Sequence, residues 1–249
     1  MRISENFYSV QGEGISTGVP AYFIRLQGCN LMCGGRDGQL VKENKASWWC
    51  DTEYVWKQGK EVSNEELVEK FHKAGQLENI LDGFTHLIWT GGEPTLPESR
   101  RSIESFIDYA DNRFEGNNMY HELETNGTIS AGINFFGGYI QQINCSPKLA
   151  NSGIEYNKRV NPIALKQINS IANSWFKFVV SNEEDIREIT STYQIPFNIP
   201  RSKIIIMPGV DNINDLPERT KFLYEMTKKH GYRGITRGHI LAWNKTTGV

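Results

Sequence analysis

The sequence predicts an α/β fold built on a mostly parallel sheet, and two patterns carry this prediction. Apolar runs of strand length alternate along the chain with segments of helical periodicity, which is typical of βαβ units. Several of those runs, such as LIWT, FKFVV and IIIM, are continuously apolar or β-branched, as strands buried on both faces are. Residues 125–138 are too rich in glycine for a full crossover helix. We therefore expect an incomplete (β/α) barrel with a reduced helix complement.

The individual elements follow in chain order. The motif SNEE at 63–66 is a capping box that predicts the start of a helix, and SNEE at 181–184 predicts a second start directly after a strand. Apolar residues at helical spacing predict helices over 102–113 and over 217–230, where Gly231 predicts the stop. Strands are predicted at 21–27, 86–90, 119–124, 139–144, 175–181, 203–207 and 239–243.

The composition is that of a globular protein. Of the 249 residues, 39% are hydrophobic and 22% are charged, which excludes a disordered, collagen-like or disulfide-dense chain. The length suits one α/β barrel unit, so we expect a single domain over 1–249. No apolar run approaches the ~20 residues of a membrane helix, and the polar N-terminus has no secretory signal. These features predict a cytoplasmic protein that does not span a membrane.

Basic residues are concentrated at the C-terminal end of the chain. Residues 219–249 contain seven Lys/Arg against a single acid, Glu225, although the net charge of the whole chain is −2. One interpretation is a solvated helix face, and the other is a surface that attracts an anionic substrate or a nucleic acid. The charge pattern alone leaves both interpretations open.

Short polar motifs follow four of the apolar runs. TGGEP follows LIW, ETNG follows MYHEL, SPK follows INC and MPG follows KIII. The carboxyl ends of parallel strands collect at one edge of a sheet, which is where α/β folds bind their ligands. The motifs therefore predict one site that is assembled from distant parts of the sequence.

Three of the four cysteines lie close together in the sequence. Cys29 and Cys33 are followed after sixteen intervening residues by Cys50, whereas Cys145 belongs to no motif and is predicted to be a buried apolar residue. Without a secretory signal, this pattern argues against a disulfide framework. Three thiolates can bind an iron–sulfur cluster with one open iron, contribute to a zinc site that needs a fourth ligand, or remain ordinary thiols. The spacing alone does not decide among these alternatives.

The motifs together resemble those of the radical S-adenosylmethionine (SAM) enzymes, which carry Cys-x3-Cys-x2-Cys after one strand and Gly-Gly-Glu-Pro after the next. Within that superfamily, the chain is similar to the 7-carboxy-7-deazaguanine synthase family. One departure is that sixteen residues, instead of two, separate Cys33 from Cys50, so we interpret 34–49 as an insertion. The stretches that carry the resemblance are SVQGEG (9–14), FIRLQGCNL (23–31), CDT (50–52), TGGEP (90–94), ETNG (124–127), SPK (146–148) and the terminal GV (248–249).

The resemblance implies a barrel of the radical SAM type with a [4Fe–4S] cluster on Cys29, Cys33 and Cys50. The open iron of such a cluster chelates SAM, and reduction yields a 5′-deoxyadenosyl radical that abstracts a hydrogen from the substrate. The family also implies a lyase that converts 6-carboxy-5,6,7,8-tetrahydropterin into 7-carboxy-7-deazaguanine with release of ammonia. This ring contraction belongs to 7-deazapurine and queuosine biosynthesis.

Contacts to SAM are carried over from the matching motifs. The glycines at 91–92 allow close backbone approach, and their carbonyls or the carboxylate of Glu93 suit an ammonium group. The complete set of implied SAM-binding residues is Trp49, Asp51, Gly91, Gly92, Glu93, Glu124, Ser146, Pro147, Lys148 and Lys177.

Contacts to the substrate are implied in the same way. Arg25 lies in an otherwise apolar strand, so its guanidinium either binds the substrate carboxylate or forms a structural salt bridge. Gln11 and Glu13 offer the donors and acceptors that a pterin edge needs. Thr52 is implied as a ligand of Mg²⁺, which keeps several waters and uses substrate oxygens. The implied substrate-binding residues are Val10, Gln11, Gly12, Glu13, Arg25, Thr90, His239 and the terminal Val249.

The resemblance further implies a homodimer, a small-molecule pterin substrate and an electron donor such as flavodoxin or ferredoxin, with no nucleic acid required. Two alternatives remain. A glycyl-radical activase of the same superfamily would share the cluster and TGGEP but would not need Arg25 or the QGEG turn. A zinc-stabilised nucleic-acid-binding module would instead use the basic segment 219–249.

Overall fold

The computed structural model describes residues 1–50, 52–246 and 248. Its strands are β1 (Arg2–Val10), β2 (Pro20–Leu26), β3 (Lys60–Glu61), β4 (His86–Gly91), β5 (His121–Thr125), β6 (Gln142–Cys145), β7 (Ser174–Val180), β8 (Ile204–Pro208) and β9 (Arg233–Gly234). Within the described residues, these nine strands form one sheet in the order β3-β1-β2-β4-β5-β6-β7-β8-β9. The row from β2 through β4 to β9 is parallel throughout, whereas β1 is antiparallel to both β2 and β3.

The sheet is open, because β3 and β9 form its two edges and do not pair with each other in the described part of the chain. Six of the predicted strands correspond to β2 and to β4 through β8. The expected fold class, an incomplete (β/α) barrel with a mostly parallel sheet, is therefore confirmed.

Helices lie mainly in the connections between the parallel strands. They are α1 (Gln39–Lys42), α2 (Glu53–Trp56), α3 (Asn64–Lys73), α4 (Leu77–Leu81), α5 (Pro97–Arg113), α6 (Ile133–Gly138), α7 (Tyr156–Arg159), α8 (Pro162–Ser170), α9 (Glu183–Glu188), α10 (Ile195–Phe197), α11 (Leu216–His230) and α12 (Gly238–Trp243). A π-helix, Ile189–Gln194, joins α9 to α10, and 3-10 turns occupy Arg36–Gly38, Ala150–Ser152 and Arg201–Lys203. None of the helices described combines the length and the apolar character needed to cross a bilayer.

Local sequence explains where the main helices begin and end. At α3, Ser63 Oγ accepts a hydrogen bond from Glu66 N at 3.1 Å, and Glu66 Oε2 accepts one from Ser63 N at 2.7 Å, which completes the predicted capping box. α11 ends at His230, and the residue that follows, Gly231, has a φ of 72°, which suits glycine. α6 lies in the glycine-rich stretch and has only six residues, as the reduced helix complement predicts.

The prediction of a strand at 239–243 was wrong, because this segment forms α12. A short apolar run such as HILAW fits a strand or a partly buried helix equally well, so its period does not decide between them. Packing decides instead, since Ile240 joins Val210 and Leu216 in a small hydrophobic cluster apart from the main core. His239 therefore lies on a terminal helix, not on a last strand.

Two further differences concern the starts of elements. β1 is not predicted by the apolar pattern, because RISENFYSV alternates polar and apolar residues and is only half-buried. The second capping box is shifted by one residue from the predicted position. Asn182, not Ser181, accepts from Asp185 N at the start of α9, and Ser181 N instead donates to the Asp185 carboxylate at 2.6 Å.

The parallel register gives the sheet one polar and one apolar face, because successive side chains of a strand point to opposite sides. Arg25 pairs with Thr90, and Glu124 pairs with Asn144, so all four share the polar face, as does Lys177 on β7. The other face packs in the main hydrophobic core and includes the fully buried Ile24, Trp89, Leu123, Ile143 and Phe176. The register therefore places Arg25, Thr90, Glu124 and Lys177 on the face opposite the main core.

Most basic residues of the segment 219–249 have an acidic or aromatic partner within the protein. Arg233 lies with its guanidinium 5.3 Å from the ring centroid of Trp175. Four others form the ion pairs Lys228–Glu225, Lys229–Glu183, Lys245–Asp211 and Arg237–Glu13. These pairs favour an internally compensated segment over a basic surface for nucleic acid.

Candidate active site

The three clustered cysteines lie on the connection that follows β2, at the carboxyl edge of the parallel strands. Cys50 N donates to the Cys33 carbonyl at 3.1 Å, so these two cysteines lie side by side. Cys33 is buried, whereas Cys29 and Cys50 are partly exposed. Burial, with smaller contributions from Glu93 and the other two thiols, raises the pKa of Cys29 to about 12. The bond between Cys50 and Cys33 is the contact that brings two of the three cysteines together.

The insertion 34–49 explains how distant cysteines become neighbours. Gly34 N donates to the Ser152 carbonyl at 2.8 Å, and Ser47 N donates to the Asn151 carbonyl at 2.8 Å. Both ends of the insertion are thus bound to the same 3-10 turn after β6. This closure returns the third cysteine to the side of the second, as a two-residue spacer does in the shorter family motif.

The donor set fits a [4Fe–4S] cluster. A cluster takes one cysteine per iron, so its three thiolates need not converge on one point. Within 1–50, 52–246 and 248, no three His, Cys, Asp or Glu side chains are grouped to hold a single metal ion. Cys145 is fully buried in the main hydrophobic core, which confirms its prediction as an apolar packing residue. The three remaining cysteines match a cluster with one iron left open.

The TGGEP loop after β4 packs tightly against the start of the cysteine loop. A Cβ at Gly92 would lie 1.6 Å from the Gly28 carbonyl oxygen, so no larger residue fits there without displacing the loop. Gly92 N donates to the Leu26 carbonyl at 3.1 Å, and Glu93 N donates to the Gly28 carbonyl at 2.8 Å. Gly92 thus permits a close approach between two loops of this chain, whereas contacts of Gly91 and Gly92 with SAM stay a prediction.

The carboxylate of Glu93 is fully buried and ties the TGGEP loop to the ETNG loop. Its oxygens accept from Thr125 Oγ1 at 2.7 Å and from Asn126 N at 2.7 Å. Thr95 donates to it from its backbone N at 2.9 Å and from its hydroxyl. These donors use much of its acceptor capacity, which leaves Glu93 little capacity to bind an ammonium group.

The SPK motif follows β6 and presents a cation next to the insertion. Ser146 N donates to the Thr125 carbonyl at 2.7 Å, and Pro147 is buried. Lys148 Nζ donates to Ser146 Oγ at 3.1 Å and lies 5.6 Å from the ring centroid of Trp48. The motif therefore joins the carboxyl edge of the sheet to the cysteine loop.

A largely buried charge network occupies the polar face. Lys177 Nζ donates to Glu13 Oε2 at 2.9 Å and to Glu124 Oε2 at 3.0 Å. Gln11 Nε2 donates to Glu124 Oε1 at 3.2 Å. Four residues that the sequence assigned to the site are thus brought together, although 164 positions separate Glu13 from Lys177.

The two carboxylates of this network have opposite pKa shifts. Burial alone would raise the pKa of Glu13, but Lys177, Arg237 and His239 outweigh burial and hold the pKa well below its ordinary value. Burial dominates at Glu124 and raises its pKa, although Lys177 opposes this. Glu13 is therefore the more firmly ionised of the two carboxylates.

Arg237 is a site residue that sequence reasoning missed. Its Nε donates to Glu13 Oε1 at 2.8 Å, and its Nη1 donates to the Val210 carbonyl at 2.6 Å. His239 Nε2, at 3.9 Å, lies near the same Glu13 oxygen. The only signal in the sequence is an arginine next to Gly-His within a basic segment, and that signal does not identify a partner 224 residues away.

Arg25 forms a structural salt bridge, which is one of the two interpretations that the sequence left open for its guanidinium. Its Nε lies 3.0 Å from Glu5 Oε2, and its guanidinium lies 5.6 Å from the ring centroid of Phe7. A guanidinium carries five N–H donors, so this bridge does not exhaust its capacity to bind a carboxylate. A Cβ at Gly248 would lie 3.2 Å from Glu5 Oε1, so the C-terminal end of the chain reaches this pair.

The remaining residues predicted near the cluster are placed as follows. Thr52 Oγ1 lies 3.5 Å from Cys50 Sγ, at the start of α2. Trp49 precedes Cys50 and is 48% exposed. Asp51, predicted as a SAM contact, lies outside the described residues.

The remaining residues predicted for the substrate lie around the QGEG turn. Val10, Gly12 and His239 line a small cavity of about 170 Å³ between this turn and α12. The Gly238 N–H donates to the Gly12 carbonyl at 2.9 Å, which fixes the helix to the turn. Val249 lies outside the described residues.

The fold of the chain is similar to that of two solved structures. The chain is similar to the crystal structure of QueE from Escherichia coli, with a TM-score of 0.61 and 23% identity over 96% of this chain and 94% of that chain. It is also similar to anSMEcpe with bound AdoMet, with a TM-score of 0.51 and 16% identity over 85% of this chain and 60% of that chain. Both likenesses concern the fold alone, an open and mostly parallel sheet, on which this chain carries three cysteines in the connection after β2.

Comparison of sequences is more specific, although no model of a known protein family matches the chain. The 7-carboxy-7-deazaguanine synthase of Pyrobaculum aerophilum is 30% identical over 100% of this chain and 97% of its own length. Enzymes of the same name from Hyperthermus butylicus and Rhodopirellula baltica are 32% and 31% identical, over 88% and 99% of this chain and 81% and 88% of their own lengths. The chain belongs to the 7-carboxy-7-deazaguanine synthase family, which confirms the resemblance inferred from the motifs.

Proposed function

We propose that the chain is a radical SAM lyase that converts 6-carboxy-5,6,7,8-tetrahydropterin into 7-carboxy-7-deazaguanine with release of ammonia, in the route to 7-deazapurines such as queuosine. The observation that carries this proposal is the full-length similarity to 7-carboxy-7-deazaguanine synthases. The polar face of the sheet supports it, because it supplies the mixture of amide, carboxylate and cationic groups that a carboxylated pterin needs.

Cys29, Cys33 and Cys50 would hold a [4Fe–4S] cluster. Together with SAM, a bound cluster would supply the radical chemistry of the reaction. The protein contributes the closure of the insertion 34–49, which places Cys50 beside Cys33. It also contributes the packing of Gly92 on Gly28, directly before the first cysteine.

Residues of the strand-end motifs would bind SAM. Backbone carbonyls at 91–92 suit its ammonium group, and the Lys148 ammonium suits its carboxylate. Glu93 would act on these loops by tying TGGEP to ETNG. Trp49, Asp51, Ser146 and Pro147 are proposed to contact the rest of the SAM molecule.

Lys177 and Glu124 are proposed to contact SAM, and their bonds to Glu13 and Gln11 would join the SAM side of the site to the substrate side. Glu13 and Gln11 would present a carboxylate and an amide to the pterin edge. Lys177 would keep both carboxylates oriented. His239 would border the same region from α12.

Arg25 would bind the substrate carboxylate while Glu5 holds its Nε. Thr90 is its register neighbour on β4 and would contact the same part of the substrate. Val10 and Gly12 would line the edge of the site, and Val249 is proposed as a further substrate contact. Thr52 would ligate Mg²⁺, a hard cation that prefers oxygen ligands and would keep water and substrate oxygens as its other ligands.

We further propose that the protein is a cytoplasmic homodimer with a single domain over 1–249, which receives electrons from a flavodoxin or a ferredoxin. Its substrate is a free pterin, and no nucleic acid or membrane takes part. The ion pairs within the segment 219–249 support this, because they compensate much of its basic charge internally.

The test is anaerobic reconstitution followed by turnover. The protein is expected to be brown, to hold about four irons per chain, and to form 7-carboxy-7-deazaguanine and ammonia from the pterin when SAM and reductant are present. Cys50→Ala is expected to lose both the colour and the turnover. Reductive cleavage of SAM without conversion of the pterin would instead favour a glycyl-radical activase. Stoichiometric zinc without iron would contradict the proposal.

A further inference from the structure

The side chain of Lys148 is held from one side by the insertion. Its Nζ lies 5.6 Å from the ring centroid of Trp48 and donates to Ser146 Oγ at 3.1 Å. A lysine ammonium over a tryptophan ring is attracted by the negative face of the ring. Trp48 is the second residue before Cys50, so this ammonium lies next to the cysteine loop.

Trp48 is itself anchored to the sheet. Its Nε1 donates to Asn151 Oδ1 at 2.9 Å, and Asn151 Nδ2 donates to the Val179 carbonyl at 3.0 Å, on β7. The backbone bond between Ser47 N and the Asn151 carbonyl reinforces this contact from the preceding residue. The ring is therefore held in place by the strand end, so it can act as a fixed surface for a cation.

The backbone of Lys148 is fixed as well. Tyr193 Oη donates to the Lys148 carbonyl at 2.5 Å, and Arg159 Nη1 donates to the same carbonyl at 3.1 Å. Tyr193 is fully buried and lies in the π-helix, an irregularity that often occurs at functional sites. Arg159 is in turn held by Glu188 at 2.7 Å. With its carbonyl and ammonium both held, Lys148 is a preorganised cation.

We propose that Trp48 is a positioning residue, through which the insertion 34–49 holds the Lys148 ammonium ready for the carboxylate of SAM. This inference rests on the proposed function. SAM carries a single carboxylate, on its amino-acid end, and a cluster held by the cysteine loop would bring that end beside Lys148. A free lysine side chain would lose rotamer entropy on binding, and the ring reduces that loss in advance.

The first experiment measures the dissociation constant of SAM by anaerobic equilibrium dialysis, with the reconstituted protein and its iron content determined in parallel. Trp48→Leu is expected to weaken SAM binding by about threefold to tenfold at unchanged iron content, since a cation–π contact is lost. Trp48→Phe keeps a ring face but loses the bond from Nε1 to Asn151, so it is expected to weaken SAM binding by less than Trp48→Leu does.

Phe114→Leu is the matched control. Phe114 also lies beside a cation, with the Arg113 guanidinium 5.5 Å from its ring centroid, but it follows α5, at the opposite edge of the sheet from the site. SAM affinity is expected to be unchanged in this variant. An equal loss in Phe114→Leu and Trp48→Leu would show a general effect of removing an aromatic ring and would overturn the proposal.

A double-mutant cycle then separates positioning from a merely structural role. In a Lys148→Met background, Trp48→Leu is expected to have no further effect on SAM affinity, because the ammonium that the ring positions is absent. Additive losses would overturn the proposal. Affinity for the pterin, measured in the same variants, is expected to stay at the wild-type value, and an equal loss for both ligands would also overturn it.

The outcomes distinguish this inference from the proposed function. A wild-type protein that carries the cluster but binds no SAM contradicts the proposed function. A wild-type protein that binds SAM, together with a Trp48→Leu variant of equal affinity, contradicts only the role of Trp48. If Trp48→Leu loses iron, the Asn151→Ala variant tests the proposal in its place, because this variant removes the hydrogen-bond partner of Trp48 but keeps the ring. Asn151→Ala is then expected to weaken SAM binding at full iron content, and an unchanged affinity for SAM overturns the proposal.

Discussion

Arg237 Nε lies 2.8 Å from Glu13 Oε1, which joins the start of α12 to the QGEG turn near the N-terminus. The second oxygen of the same carboxylate accepts from Lys177 Nζ at 2.9 Å. Glu13 is therefore held between two cations before a ligand arrives. Such preorganisation favours a ligand that needs a fixed carboxylate at this position.

Arg237→Met should lower stability, because it removes one of the two cations that compensate a largely buried carboxylate. We expect a loss of about 2 to 4 kcal/mol in the free energy of unfolding near pH 7, measured by urea denaturation. The pKa of Glu13 is held low in the folded protein, so its contribution is fully present above the unfolded-state pKa of about 4.3 and is lost as the pH falls through the lower folded-state pKa. The gap between wild type and variant should therefore narrow below about pH 4.

Arg219→Met is the control for this prediction. Arg219 belongs to the same basic segment, but among the residues that the structure describes its guanidinium reaches only the Ser181 carbonyl, at 3.5 Å on the surface. Its removal changes the net charge equally and should alter stability by less than about 0.5 kcal/mol. A gap between wild type and Arg237→Met that stays constant down to pH 3 would show that Glu13 is not the partner that matters.

Lys177→Met should be more damaging, because it leaves Glu13 and Glu124 facing each other without their shared cation. Removing one partner of a buried charge pair costs about 3 to 5 kcal/mol, so many molecules of this variant should be unfolded at 37 °C. Adding Glu124→Gln should restore part of the loss, because Glu13 then keeps Arg237 and the second charge is gone. Thermal unfolding of the single and double variants measures this recovery, and no recovery would mean that the charge balance is not what Lys177 supplies.

The strands of the main core were predictable from sequence because burial on both faces leaves a direct compositional trace. Runs such as FKFVV at 176–180 read as strands for that reason, and the register then follows from parallel pairing. The strand-end motifs were predictable as one site, since all parallel strands end at the same edge. Glu124, from one of these motifs, bonds to Lys177 on the polar face of the sheet, where Lys177 also meets Glu13.

Features that depend on tertiary packing left no such trace. The run HILAW forms a helix because Ile240 packs on Val210 and Leu216, which no local period reveals. Arg237 reads as one more basic residue of a tail until the fold places it on Glu13. Likewise, the spacing between Cys33 and Cys50 looked unfavourable until the two backbone bonds to the turn after β6 closed the insertion.

Gly92→Ala should disturb the cysteine loop without touching a cysteine. The added Cβ would lie 1.6 Å from the Gly28 carbonyl oxygen, so the backbone directly before Cys29 must shift. We expect a loss of about 3 kcal/mol in stability and a lower iron content after reconstitution. The matched control is Gly138→Ala at the end of α6, where a Cβ would meet no atom within 4 Å. Stability and iron content of this control should equal those of wild type, and the same result for Gly92→Ala would contradict the tight packing of the two loops.

The assignment of Cys33 as a cluster ligand can be tested by comparison with Cys145. Both cysteines are buried, so burial does not distinguish a ligand from a packing residue. Their surroundings distinguish the two cysteines. The Cys33 carbonyl accepts a hydrogen bond from the Cys50 backbone N–H, whereas Cys145 lies in the main hydrophobic core. Cys33→Ala should lose most of the iron and the brown colour while the apoprotein keeps its fold by circular dichroism. Cys145→Ala should cost about 1 kcal/mol in stability and keep the full iron content. A reversal of the two iron contents would mean that the cluster uses a different set of thiolates and that the closure of the insertion serves another purpose.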